Sequence, residues 1–194
     1  MAITIDSDPI VSAADVATLT GWSAAGEETL AGINAVSVMF RNYTGRLAIS
    51  ETAGLVQVER FVPAAVPVFY LRATPVTAVT QFLVYDKGTQ IDTLVSGVDY
   101  YLTETTGRVS METYYAAGRD HLRYYKITFA GGWGTGEVPG DVTETAVEMM
   151  KLIQQRRQGL VGVTSTSADG MSTTYTGAAI PSEIAGVWQK YKVY

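Results

Sequence analysis

The sequence predicts an α+β protein: a four-helix bundle interrupted, between its second and third helices, by an antiparallel β-sheet insertion folded as a small barrel or sandwich. Three observations predict it. Apolar residues recur every three to four positions toward both ends of the 194-residue chain. Between about residues 47 and 130 that period falls to two, with Gly-containing reversals between the runs. Residues 51–130 also hold 12 of the 20 aromatic residues, a density suited to cross-strand pairs and the faces of a small β unit. The expected domains are a split helical bundle (1–46 and 131–194), an inserted β domain (47–130) and a flexible loop (159–179). Four helices close one bundle here only if the insertion leaves and returns at nearly the same place, as antiparallel meanders do.

The first helix opens at Ser12, whose hydroxyl is placed to cap the amide of Asp15, and stops at Gly21. The second carries Leu30, Ile33, Val36 or Ser37, Phe40 and Tyr43 on one stripe and ends at Gly45. Glu27 and Glu28 in its first turn and Arg41 near its last agree with the helix macrodipole.

Strand-like runs follow at Val56–Val62, Val66–Ala73, Val76–Tyr85, Gln90–Val95, Tyr100–Thr103, Val109–Tyr115 and His121–Ala130. Asp86-Lys87-Gly88-Thr89, Ser96-Gly97, Thr105-Thr106-Gly107-Arg108 and Ala117-Gly118-Arg119-Asp120 supply the reversals. The doublets Tyr100-Tyr101, Tyr114-Tyr115 and Tyr124-Tyr125 each put one ring on either face of a strand, so core or interface packing is the expectation for them.

After the glycine-rich stretch Gly131–Gly136, Pro139 and Asp141 open a third helix. Val142, Ala146, Met149, Met150 and Ile153 form its apolar stripe, and Lys151, Arg156 and Arg157 cluster toward its C-terminal end. Residues 159–179, rich in Ser, Thr and Gly, are too polar to bury and too long for an ordinary connector. Pro181 then starts a fourth helix with Ile184, Val187, Trp188 and Tyr191 on one face.

Charged residues make up 17% of the chain, against about 25% in ordinary domains, so the expected surface is neutral and hydroxyl-rich. The net charge of −5 argues against a protein that grips DNA through Lys and Arg. Absence of cysteine excludes disulfides, thiolate zinc sites and cysteine nucleophiles, and a single histidine leaves little scope for metal chemistry. Asp6 and Asp8 stand where a secretory signal would need basic residues, and the longest apolar stretch, Phe61–Leu71, is broken by Pro63 and Pro67. The expectation is a chain made in the cytoplasm that enters no membrane.

No catalytic constellation is expected. His121 lacks a G-x-S-x-G partner motif and reads as a strand histidine beside Arg119, Arg123 and Lys126. The glycines after the β region fail the dinucleotide spacing, which would put the third glycine at Glu137, and no Gly-Lys-Ser/Thr follows. Asp99, Glu104 and Glu112 read as isolated surface carboxylates, and Asn42-Tyr43-Thr44 as a chance glycosylation match. No cofactor and no metal are expected.

Several phrases together resemble the head-tail connector, or adaptor, proteins of long-tailed bacteriophages and gene-transfer agents. Tyr43-Thr44-Gly45-Arg46 looks like that family's close of the second helix. Gly97-Val98-Asp99-Tyr100-Tyr101-Leu102 followed by Thr106-Gly107-Arg108-Val109 is similar to its hairpin. So are Tyr125–Gly134, then Val138-Pro139, and finally Ile180-Pro181 with a helix closing on Tyr191-Lys192. The β unit is larger than in the family's smallest members. The resemblance implies a non-enzymatic virion part in the neck: a homo-oligomeric, dodecameric ring beneath the portal protein and above stopper or tail-completion proteins. Packaged DNA would pass its channel with only transient, non-specific contact, and assembly would take place in the host cytoplasm.

Within that reading, Gln189, Lys190, Tyr191, Lys192, Val193 and Tyr194 are expected to dock on the portal, and their deletion to spare the fold. Lys151, Arg156 and Arg157 are expected to meet Asp6, Asp8 and Asp15 of a neighbouring copy, since residues 1–50 hold five acids and two arginines. The other classes weighed are a glycan- or receptor-binding module using the tyrosine-rich β domain and, more remotely, a hydrolase using His121.

Overall fold

The structure, a computed structural model, describes residues 8–60, 68–112, 123–134, 136–155, 166–168, 171–173 and 180–193. Among the described residues it is α+β, with four helices and two antiparallel sheets beside one short hairpin. The chain forms two compact units: Met1–Thr44 with Val138–Lys192, and Gly45–Glu137 with Val193–Tyr194.

The first unit is helical. Helix α1 (Ala13–Thr20) is capped as its sequence requires: Ser12 Oγ accepts the Asp15 amide at 3.0 Å, and Gly21 ends the helix at φ +75°. Helices α2 (Glu27–Thr44) and α3 (Gly140–Gln155) pack on each other, and both touch α1 and α4 (Ser182–Gln189). Their shared interior holds Val16, Ile33, Val36, Phe40, Val142, Ala146, Met149, Met150, Ile184 and Trp188, all buried. Trp188 organises one end. Phe40 meets its ring edge-on at 5.3 Å, Tyr43 lies at 6.0 Å, and the indole N–H donates to Thr145 Oγ1 at 3.1 Å. Ser37 faces inward on α2 because its hydroxyl is satisfied twice, accepting from the Ile10 amide at 3.0 Å and donating to the Ile33 carbonyl at 2.8 Å. Strands β8 (Thr166–Ala168) and β9 (Met171–Thr173) pair antiparallel within the segment expected to be a flexible loop. The remainder of 159–179 lies outside the described residues.

The second unit is β. Its strands are β1 (Thr52–Arg60), β2 (Val68–Tyr70), β3 (Val76–Asp86), β4 (Thr89–Thr93), β5 (Tyr100–Thr103), β6 (Arg108–Met111) and β7 (Arg123–Gly131). They form a four-stranded sheet in the order β1-β7-β3-β4 and a three-stranded sheet in the order β2-β6-β5. One core joins the two sheets: Leu71, Phe82, Val84, Tyr100, Val109, Met111, Tyr125, Ile127 and Phe129 are buried together. Phe69 stacks on Tyr125 at 5.9 Å and Phe82 meets Tyr100 at 4.7 Å, so rings from both sheets interlock.

Two polar side chains fasten this unit. Gln57, buried on β1, donates to the Tyr70 carbonyl at 2.8 Å and accepts the Arg72 amide at 2.8 Å, stitching the edge of one sheet to the chain leaving β2. Arg46 is buried with its guanidinium 4.0 Å from the centre of the Trp133 ring. It also donates to the Thr74 carbonyl at 2.6 Å and to Thr74 Oγ1 at 2.9 Å. The glycine-rich stretch lies with the β unit, because Gly131 ends β7 between Thr52 and Val76 and Trp133 bridges to Ser50. Gly132 stands at φ +118°, and a Cβ there would run into the Ser50 carbonyl, so this glycine serves a close backbone crossing.

Candidate interaction surfaces

The C-terminal segment expected to dock on a partner is already held by its own chain. The Tyr191 hydroxyl donates to Asp141 Oδ1 at 2.8 Å, and Lys190 Nζ lies 3.6 Å from the same carboxylate. Gln189 Oε1 accepts from the Tyr43 hydroxyl at 3.3 Å, and the Lys192 ammonium sits 5.9 Å from the Tyr43 ring. The Val193 carbonyl packs against Gly45, where a Cβ would stand 3.2 Å from it. Removing the segment would strip these contacts from α2 and α3. Tyr194 lies outside the described residues.

The expected charge contacts are spread differently from one another. Lys151 is exposed on α3, and Asp15 is exposed on α1, where it also accepts from the Ser12 hydroxyl at 2.6 Å. Asp8 is buried and ion-paired with Arg41 at 3.2 Å, so its carboxylate is engaged inside the helical unit. Asp6, Arg156 and Arg157 lie outside the described residues, as does His121. Asp99 accepts the Val95 amide at 2.8 Å, which gives it a loop-closing role.

Alternation in the β unit sorts the tyrosine doublets as their spacing predicts. Tyr100 and Tyr125 are buried, whereas Tyr101 is exposed and Tyr124 stacks outward on Tyr85 at 5.0 Å and 2°. Tyr114 and Tyr115 lie outside the described residues. The outward faces are more apolar than the sequence suggested. On the four-stranded sheet, Val56 and Val58 are exposed at 48% and 54%, and pair across β1/β7 with Thr128 and Lys126. On the three-stranded sheet, Val68, Tyr70 and Tyr101 are exposed at 40%, 37% and 54%, around Ser110 and Arg108 of β6. Period-two alternation marks these residues as sharing faces. Which face turns outward depends on strand pairing, which no local signal carries.

The site chemistry is sparse. The helical unit carries an open cavity of about 370 Å³ beside Trp22, Thr29 and Gln154, rimmed by Glu27 and Glu28, with Gln154 donating to Glu28 at 3.2 Å. Among the described residues, no three His, Cys, Asp or Glu side chains are grouped to hold a metal ion. Among them, too, no helix is long and apolar enough to cross a membrane. Burial pushes the Tyr100 phenol above its ordinary value of 10.0, while a hydrogen bond with Ser96 opposes the shift.

No family model and no curated protein matches the sequence. Solved structures do share the fold. A chain in the neck of a native gene transfer agent particle, computed with C12 symmetry, superposes with a TM-score of 0.59 at 15% identity, covering 95% of this chain and 90% of that one. A chain in the neck of an empty particle, computed with C6 symmetry, gives 0.57 at 16% identity with the same coverage. One in the virion of a native gene transfer agent gives 0.53 at 16%, again covering 95% and 90%. At such identity the likeness is one of fold.

Proposed function

We propose that this chain is a structural neck component of a phage-like particle, a connector whose copies assemble into a ring between the portal and the stopper or tail-completion proteins. The observation that carries this reading is the shared fold: 95% of the chain, both units included, follows chains of gene transfer agent necks whose structures were computed with C12 and C6 symmetry. Several residues of the phrases that resemble the connector family, Tyr43, Arg46 and Trp133 among them, help to set this fold. Arg46 and Trp133 form the knot of the β unit, and Tyr43 and Trp188 pack together in the helical unit.

A ring with DNA in its channel must hold its neighbours firmly and its cargo loosely. Low charge and a net of −5 suit that division, because few cations are offered to phosphates and the polar surface is free for protein contacts. The portal would be met by the C-terminal segment from Gln189 onward, acting from its anchored position, with Lys190 and Lys192 as its exposed charges. Lys151 and Asp15, both exposed, are the described candidates for charge contacts between copies.

Electron microscopy of the purified protein with and without its portal tests the reading. A closed ring seated on the portal is the expected image. Persistent monomers in the portal's presence would refute it, as would strong, salt-sensitive binding of duplex DNA by the ring. Glycan binding by the same protein would instead favour a receptor-binding role for the tyrosine-rich β unit.

A further inference from the structure

The two sheets of the β unit enclose one core from either side, so their outward faces point away from each other within a single compact body. Each face exposes a cluster of large apolar side chains among polar ones: Val56 and Val58 beside Thr128 and Lys126, and Val68, Tyr70 and Tyr101 beside Ser110 and Arg108. Residues next to them alternate correctly: Leu55 and Gln57 turn inward on either side of Val56, and Phe69 turns inward between Val68 and Tyr70. The exposed residues are thus the outer halves of well-formed strands, placed there by pairing rather than by local distortion.

We propose that these two faces are the complementary halves of one contact between copies: the β1/β7 face of one subunit, centred on Val56 and Val58, seats against the β2/β5 face of the next, centred on Val68, Tyr70 and Tyr101. The proposal rests on the ring reading above. A two-fold dimer would cover one face twice and leave the other in water, whereas a head-to-tail ring covers both on every copy. Tyrosines exposed among small polar residues are the side chains that give interfaces large contact area at low entropic cost. Charge selects the register of this seating. Lys126 is half-buried within the first face, and the second carries exposed Arg108 on β6 and, just beyond it, exposed Glu112, so the register that sets Lys126 against Glu112 and away from Arg108 is the one expected.

The chain has no cysteine, so introduced thiols report cleanly on this geometry. Val58→Cys and Tyr101→Cys are made singly and together at exposed positions, treated with a short bis-maleimide, and run on denaturing gels. Circular dichroism checks that each variant folds as the parent does. The double variant is expected to give a ladder of cross-linked oligomers ending in one closed species. Each single variant should remain uncross-linked, because position 58 never meets position 58 of a neighbour. An equimolar mixture of the singles should stop at dimers. Cross-linking of either single variant to itself would show a two-fold contact and overturn the proposal. So would absence of a ladder while microscopy shows rings, which leaves the connector reading intact. A ladder without ring closure would retain the contact and remove the ring.

Discussion

Arg46→Ala should be among the most damaging single substitutions in the β unit. The guanidinium makes two charge-assisted hydrogen bonds to Thr74, at 2.6 and 2.9 Å, each worth about 1.5–3 kcal/mol. Its position 4.0 Å from the Trp133 ring centre adds about 1–2 kcal/mol in a desolvated setting. These contributions overlap, since one rigid fork makes all three contacts, so the expected loss is about 3–5 kcal/mol rather than their sum. Arg46→Lys keeps the charge but not the planar fork, and should lose about 1–3 kcal/mol. Hydrogen exchange through a urea series, read on peptides from β7, isolates the stability of this unit from that of the helices. An Arg46→Ala loss below about 1 kcal/mol, the scale of an ordinary surface change, would refute the idea that this arginine knots the unit. So would a lysine variant as stable as the parent.

Gln57→Leu should destabilise the β unit by about 1–3 kcal/mol, because the Arg72 amide and the Tyr70 carbonyl lose their shared partner; urea titration reads this directly. Tyr191→Phe should cost the helical unit about 1 kcal/mol through loss of the hydrogen bond to Asp141, and deletion of 189–194 should cost more, both visible as lowered thermal midpoints. Tyr100 makes stability fall in alkali. Its folded phenol ionises above 10.0 while the unfolded one does not resist, so its contribution is complete below about pH 10 and fades as pH climbs toward the folded value. Tyr100→Phe should therefore flatten the alkaline fall in urea midpoint relative to the parent, and an identical fall in both proteins would refute this.

Element placement was legible in the sequence because it is set locally. Ser12 and Gly21 bound α1 through a hydrogen bond to the nearest turn and a left-handed backbone. Lys87 at φ 51° and Gly88 at φ 82° turn β3 into β4 within the reversal that their residue types announce. Boundaries slipped where local pattern is silent. Strand β1 reaches back to Thr52, past a register shift around Gly54, although regular alternation begins only at Val56.

What decides the surfaces is non-local. Arg46 has the sequence signature of a solvated charge just past a helix end, yet it is buried, because Trp133 and Thr74 arrive from 87 and 28 residues away to satisfy it. The order β1-β7-β3-β4 and the joining of two sheets over one core turn Val56, Val58, Val68, Tyr70 and Tyr101 outward. The sequence alone determined where the four named helices and most strands and turns of the described residues fall, since each is written in neighbouring residues, but not the β8/β9 hairpin or the start of β1. The tertiary structure decided which side chains meet water, because burial depends on partners that sequence spacing does not name.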